Sequence, residues 1–292
     1  MIEAIDIVTH TCDPAVMQRR FRQLDVFATG SLSGNPLAVV VDGDGLSTDE
    51  MLRFANWTNL SETTFLLPPT DVAADYRVRI FTTTRELPFA GHPTLGSCRA
   101  WLDSGGRPAG DGIVVQECGV GLVHVRDDGE RLAFSAPALQ RSGPVDAALW
   151  ARLTVVLGRE PCDAAWVDNG PGWVAVELES AAAVLALEPD FGDALDLELG
   201  VVGRAEPADD HDVEIRAFFP GASSMQEDPV TGSLNASVAQ WLMARDPQLT
   251  SYTARQGTAL GRNGRVHLDR DDAGTIWVGG RSLVTVSGHV EL

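Results

Sequence analysis

Cysteine is scarce: only Cys12, Cys98, Cys118 and Cys162, with no C-x-x-C pair and no histidine at zinc-finger spacing. So sparse a set in so long a chain excludes a disulfide framework and fits a reducing cytoplasm. Basic residues are also in deficit, 22 Lys and Arg against 41 Asp and Glu, which leaves a formal net charge of −19. Such a chain repels phosphate backbones and anionic lipid, so nucleic acid and membrane surfaces drop out as expected partners. No apolar run approaches the ~20 residues of a membrane span, and PLAVVV at 36–41 has the length of a strand. Glu3 and Asp6 stand where a signal peptide needs basic and then apolar residues. The expected location is the cytoplasm.

Motifs of several reaction classes are missing as well. There is no phosphate-binding G-x-x-x-x-G-K-[ST], no G-x-S-x-G elbow, no H-E-x-x-H and no complete G-x-G-x-x-G. The six histidines, His10, His92, His124, His211, His267 and His289, lie far apart in sequence. Nothing in the residues asks for a metal or a nucleotide cofactor.

What is present is ordinary globular chain: 292 residues, 44% hydrophobic, enough for one large domain or two of about 140 residues. Strand patterns fall at 21–27, 37–41, 63–67, 76–81, 113–115, 121–125 and 131–135, and later at 173–178, 213–219, 251–256, 265–269, 275–278 and 282–286. Helices are expected at 95–102, 147–157, 181–187 and 234–244, and a short one after Ser47. Ser47 and Glu50 form a capping box ahead of an apolar stripe at Met51, Phe54 and Ala55. Strand-rich halves with one prominent helix each argue for an α+β protein of two similar domains. The boundary falls near Pro137–Pro144, after an N-terminal extension over 1–20, giving domains of 21–138 and 139–292 with the last strand free to return to the first. The acidic stretch Asp190–Asp212 reads as a solvated connection. One echo joins the halves: residues 94–102 and 234–242 both end a helix on Trp-Leu, each after a turn of Gly and small polar residues.

Three segments could carry chemistry. In the first, Glu62 lies among Leu60, Phe65, Leu66 and Leu67, where lost hydration would raise its pKa toward neutrality. On local residues alone it reads sooner as an exposed helix–strand junction. In the second, Gly91 and His92 form a turn ahead of a helix beginning near Pro93, whose free amides could stabilise a carboxylate, with His92 as a neutral donor or acid. An ordinary first-turn proline beside a surface histidine reads equally well. In the third, Asp228, Thr231, Gly232 and Ser233 precede another helix, and taken alone they suit a simple N-cap. Together, the two helix starts could converge on one acid group from both sides.

The motifs are more specific in combination. LDVFATGSLSGNPLAVV at 24–40, NLSETTFLL at 59–67, YRVRIFTTTRELPFAGHPTLGS at 76–97, FFP at 218–220, EDPVTGSLNASVAQWL at 227–242 and QGTALGR at 256–262 follow one another in order. In these residues the chain resembles the phenazine-biosynthesis PhzF-like isomerases, which share the diaminopimelate epimerase fold. The resemblance implies two pseudo-symmetric domains, each a mainly antiparallel sheet around a central helix, with the site in the cleft between them. It also implies a homodimer that needs no cofactor. Glu62 would be the proton shuttle, with His92, Asp228 and Ser233 around the substrate and Gly91, His92, Gly232 and Ser233 binding its carboxylate; Thr231 belongs to the same motif.

Epimerases of this fold use a cysteine at each helix start, and here neither start has one: Ala90 precedes Gly91, and residues 228–232 hold no cysteine. The family's Gly-Arg-Pro-Ser near the C-terminus is Gly261-Arg262-Asn263-Gly264 here. The expected activity is a double-bond shift in a small unsaturated cyclic amino or hydroxy acid, such as a dihydro-hydroxyanthranilate or a dihydropyrrole carboxylate. Dehydration or epimerisation on the same fold, and non-catalytic binding of an acid metabolite, stay open beside it.

Overall fold

The computed structural model describes residues 17–292 apart from 111, 193, 195, 222 and 223. β1 (Gln18–Val26) pairs antiparallel with β2 (Asn35–Val40). α1 (Thr48–Thr58) then leads into β3 (Thr63–Leu67), which lies parallel to β2. β4 (Tyr76–Phe81) is antiparallel to β3 and passes through the short β5 (Glu86–Leu87) to α2 (Gly91–Asp103). β6 (Ile113–Cys118) returns parallel to β4, and β7 (Gly121–Asp127) and β8 (Leu132–Ser135) follow as an antiparallel meander.

The second half repeats this order. β9 (Arg141–Pro144) and α3 (Ala147–Leu157) precede β10 (Asp163–Asp168), which pairs antiparallel with β9 and with β11 (Trp173–Leu178). α4 (Ala181–Leu185) leads to β12 (Glu198–Arg204), parallel to β11, and β13 (Val213–Pro220) is antiparallel to β12. β14 (Met225–Asp228) delivers the chain to α5 (Gly232–Arg245), and β15 (Ser251–Gln256) returns parallel to β13. β16 (Gly264–Arg270) and β17 (Ile276–Gly280) complete the meander, and β18 (Ser282–Glu291) crosses back to pair with β1. β17 also pairs with β8, so the halves share one continuous sheet.

The two prominent helices are the cores of their halves. Leu95, Cys98 and Ala100 of α2 and Leu234, Ala236 and Ala239 of α5 are fully buried. Small residues let strands approach from several sides: a Cβ at Gly96 would lie 2.4 Å from Leu37 Cδ2. A helix enclosed in this way needs little amphipathic contrast. α1 is the opposite case. Its capping box forms, it buries Met51, Phe54 and Ala55, and Asn59 ends it in the left-handed region at φ 54°.

Several sequence expectations need correction. Asp190–Asp212 is not one solvated connection, because Glu198–Arg204 forms β12, whose Leu199–Gly203 are buried between β11 and β13. The stretch Pro137–Pro144 is not irregular throughout: it contains β9, which pairs with β10 of the second half and leaves the expected boundary near 138 in place as an expectation. β1 begins at Gln18, so residues 18–20 belong to the sheet, while residues 1–16 lie outside the described residues. α2 starts at Gly91, earlier than Leu95, since a proline in the first turn forfeits no hydrogen bond.

Candidate active site

α1, α3 and α4 are each capped by a side chain, Ser47, Asp146 and Ser180 respectively. α2 and α5 are not: Ala90 and Thr231 stand at their N-cap positions and make no side-chain cap bond. These same two helices meet start to start. A Cβ on Gly232 would lie 3.0 Å from Gly91 Cα and 3.2 Å from His92 N. One on Gly91 would lie 2.7 Å from Phe134 Cζ and 3.1 Å from Gly232 Cα. Only glycine allows this approach, and it brings two positive helix ends, with uncapped amides, to one place.

Glu62 sits just before β3, held by the pairing of Thr63 with Ala38. Its Oε2 lies 3.6 Å from His92 Nε2, and both atoms are buried without a hydrogen-bond partner. Burial, with the nearby charge of Asp228 adding to it, pushes the Glu62 carboxyl up to about 8. Burial drives His92 down to about 3, against a hydrogen bond to the Pro36 carbonyl that favours the charged ring. At neutral pH His92 is therefore a neutral imidazole and Glu62 mostly a carboxylic acid, so the 3.6 Å contact is not an ion pair.

Asp228 ends β14 and is held from both halves. Asn35 Nδ2 donates to its Oδ1 at 3.0 Å and Thr231 Oγ1 to its Oδ2 at 2.5 Å. Burial raises Asp228 to about 6, with these two hydrogen bonds opposing the rise. Gln256 fixes the loop behind it: its Oε1 accepts from Thr231 N at 3.0 Å and from Asn235 Nδ2 at 2.8 Å. Its Nε2 donates to Thr231 Oγ1 at 2.9 Å. The first half has a counterpart, where Gln116 Nε2 donates to Thr94 Oγ1 at 3.0 Å. Thr94 and Asn235 are each the fourth residue of their helix, so the duplication extends to the buried polar support.

Ser233 is placed by β11 and the turn before it. Trp173 Nε1 donates to Ser233 Oγ and Asn169 Nδ2 to Ser233 O, both at 3.0 Å. The serine hydroxyl thus accepts from the indole and keeps its own proton to donate. Glu62, His92, Asp228, Thr231 and Ser233 all gather around the Gly91–Gly232 contact. Sequence reading missed Asn35, Asn169, Trp173 and Gln256. The asparagines had a faint signal, Asn beside Pro or Gly-Pro in both halves, at 35–36 and 169–171. Asn35 Oδ1 and Asn169 Oδ1 are also buried without partners. Cys98 is enclosed in α2 and its thiol is pushed up by burial, which removes it as a base. Among the described residues, no group of three or more His, Cys, Asp or Glu could hold a metal, and no helix is long and apolar enough to cross a membrane.

The chain is similar to known proteins over most of its length. Trans-2,3-dihydro-3-hydroxyanthranilate isomerase of Pseudomonas aeruginosa is 37% identical over 282 residues, covering 92% of this chain and 95% of that protein. Antisense-enhancing sequence 1 of Schizosaccharomyces pombe is 36% identical over 292 residues, covering 93% and 98%. The crystal structure of a phenazine biosynthesis PhzF-family protein from Enterococcus faecalis superposes with a TM-score of 0.79 at 25% identity, covering 94% of this chain and all of that one. Residues 24–289 match the profile of the phenazine biosynthesis-like proteins, and the chain belongs to this family, PhzC–PhzF.

Proposed function

We propose that this chain is a cofactor-independent isomerase that shifts a C=C bond in a small unsaturated cyclic amino or hydroxy acid. The named isomerases among its relatives support the reaction class. The observation that carries the mechanism is the unpartnered Glu62–His92 pair beside two uncapped helix starts.

In this reading the substrate carboxylate lies against the amides of Gly91, His92, Gly232 and Ser233, where both helix dipoles stabilise negative charge. Glu62, once ionised, takes a proton from an activated carbon and returns it to another carbon of the conjugated system on the same face. The Glu62 carboxyl ends each turnover in the state in which it began, so no net acid or base is consumed, and its proton exchanges with solvent before delivery. Neutral His92 accepts from or donates to the Glu62 carboxyl as it changes state, and Asp228 and Ser233 hold polar substituents. The site would occupy a cleft between two domains that divide near residues 138 and 139, in a homodimer of the cytoplasm. Same-face transfer suits a single carboxyl; two-base epimerisation needs a second base on the opposite face, and neither helix start carries a thiol.

Proton NMR in D₂O with a panel of unsaturated cyclic acids tests this. Deuterium entering one carbon together with a shifted double bond, both abolished by Glu62→Gln, is the expected result. Exchange without a shifted bond would replace the isomerase by epimerase chemistry. No exchange with any acid, with binding kept in Glu62→Gln, would leave a binding protein.

A further inference from the structure

Glu198 is a carboxylate near this site that the mechanism does not use and, unlike Glu227, which Arg216 holds, has no ion-pair partner among the described residues. It opens β12 directly opposite Trp173 in the parallel β11–β12 pairing, so both side chains leave the sheet on the same face. Trp173 reaches Ser233 from that face. Two residues on, Gly200 shares it, and a Cβ there would lie 2.3 Å from Leu234 Cδ1. Glu198 therefore faces the first turn of α5 from beside the indole that holds Ser233.

Its carboxylate is half-buried, and among the described residues no hydrogen bond or ion pair holds it. The space beside it is open: a Cβ at Gly172 would meet nothing within 4 Å but Glu198 Cγ, at 3.9 Å. Burial raises the carboxyl to about 7, opposed by the charge of Arg85, which comes from the β4–β5 turn of the other half. Removing a carboxylate from water without a partner is costly. Asp228 is held by Asn35 and Thr231, and Glu198 has no such donors among the described residues. A cation entering from the cleft would supply what the protein omits. A hydroxyl would hydrogen-bond but leave the charge uncompensated.

We propose that Glu198 is a second recognition residue of the site, and that it receives the protonated amino group of a small cyclic amino acid whose carboxylate lies at the helix starts. This assigns a specificity residue of the same site within the isomerase reading and rests on that reading.

The test compares an unsaturated cyclic amino acid with its deamino analogue, on the parent protein, Glu198→Gln and Glu198→Asp. Turnover is followed by deuterium exchange, and binding separately by tryptophan fluorescence, to which Trp173 contributes. Glu198→Gln should raise KM for the amino acid by roughly 10- to 100-fold and change that of the deamino acid by less than about threefold. Glu198→Asp should recover part of the loss. A role in packing alone would weaken both acids alike, and that result, or no change in either, overturns the proposal. If the parent turns over both acids and Glu198→Gln does not alter its preference, Glu198 falls and the isomerase stands. If the parent binds the amino acid through Glu198 but moves no deuterium, the isomerase falls and the recognition residue stands. Failure of the parent to bind either acid overturns both.

Discussion

Gly91 and Gly232 touch backbone to backbone, and no Cβ fits on either. The contact joins the starts of the two central helices, from halves 141 positions apart in the chain, and every candidate site residue is arranged around it. Substitution at this point probes packing and chemistry together. In Gly232→Ala the obstructing atoms are backbone, Gly91 Cα at 3.0 Å and His92 N at 3.2 Å, which cannot swing away. The expected cost is about 1–3 kcal/mol of stability and more than ~10²-fold in turnover, because the amides separate. Gly30→Ala is the control, with nothing within 4 Å of the added carbon and an expected change under about 0.5 kcal/mol. Urea unfolding and steady-state rates on both variants check this.

Glu62 should cost the protein stability as pH rises. Its folded-state pKa of about 8 lies above the ordinary 4.5, so between these values the folded chain keeps a proton that the unfolded chain has released. Stability from this group is complete below about 4.5 and is lost as pH climbs through about 8. Glu62→Gln never ionises. It should be more stable than the parent by roughly 1–3 kcal/mol at pH 8 and nearly equal at pH 4.5, while turnover falls about 10²–10⁴-fold. Denaturation at both pH values reads the difference.

The charge of Asp228 raises Glu62, so Asp228→Asn should lower the Glu62 midpoint below about 8. If ionised Glu62 is the base, kcat/KM of the parent climbs with pH toward that midpoint, and the climb moves to lower pH in the variant. The two carboxyls titrate as a pair, so the profile reports apparent values. Carboxyl-carbon NMR titration of Glu62 in both proteins checks the direction independently of rate. A midpoint that stays or rises would refute the coupling.

Trp173→Phe removes the indole N–H that donates to Ser233 Oγ at 3.0 Å and keeps most of the ring. The serine hydroxyl is then free to rotate. A drop of roughly 3- to 30-fold in kcat/KM is expected, with the fold intact by circular dichroism. An unchanged kcat/KM would mean that the indole does not position Ser233.

Much of the local structure was legible because its causes are local. The Ser47–Glu50 box spans three residues, and the strands at 63–67, 76–81, 173–178 and 251–256 occur where their patterns place them. β12 escaped because acidic neighbours and two glycines mask a five-residue buried run; its role comes from lying between β11 and β13. β10 escaped likewise, since DAAWVD at 163–168 opens on an aspartate and two alanines, which favour strands little, and its role comes from β9 and β11 flanking it.

The sequence by itself determined the kinds of element, the motifs, the family resemblance and the candidate site residues Glu62, His92, Asp228 and Ser233. What only the tertiary structure decided is how they meet. Asn35 donates to the Val230 carbonyl 195 positions away, and Trp173 to Ser233 across 60. Such contacts have no signature in a local window, because they depend on how the sheet brings distant segments together. The pKa shifts of Glu62 and His92 follow from the same cause: desolvation is a property of the whole enclosure, and it exists only once both helices have been brought together.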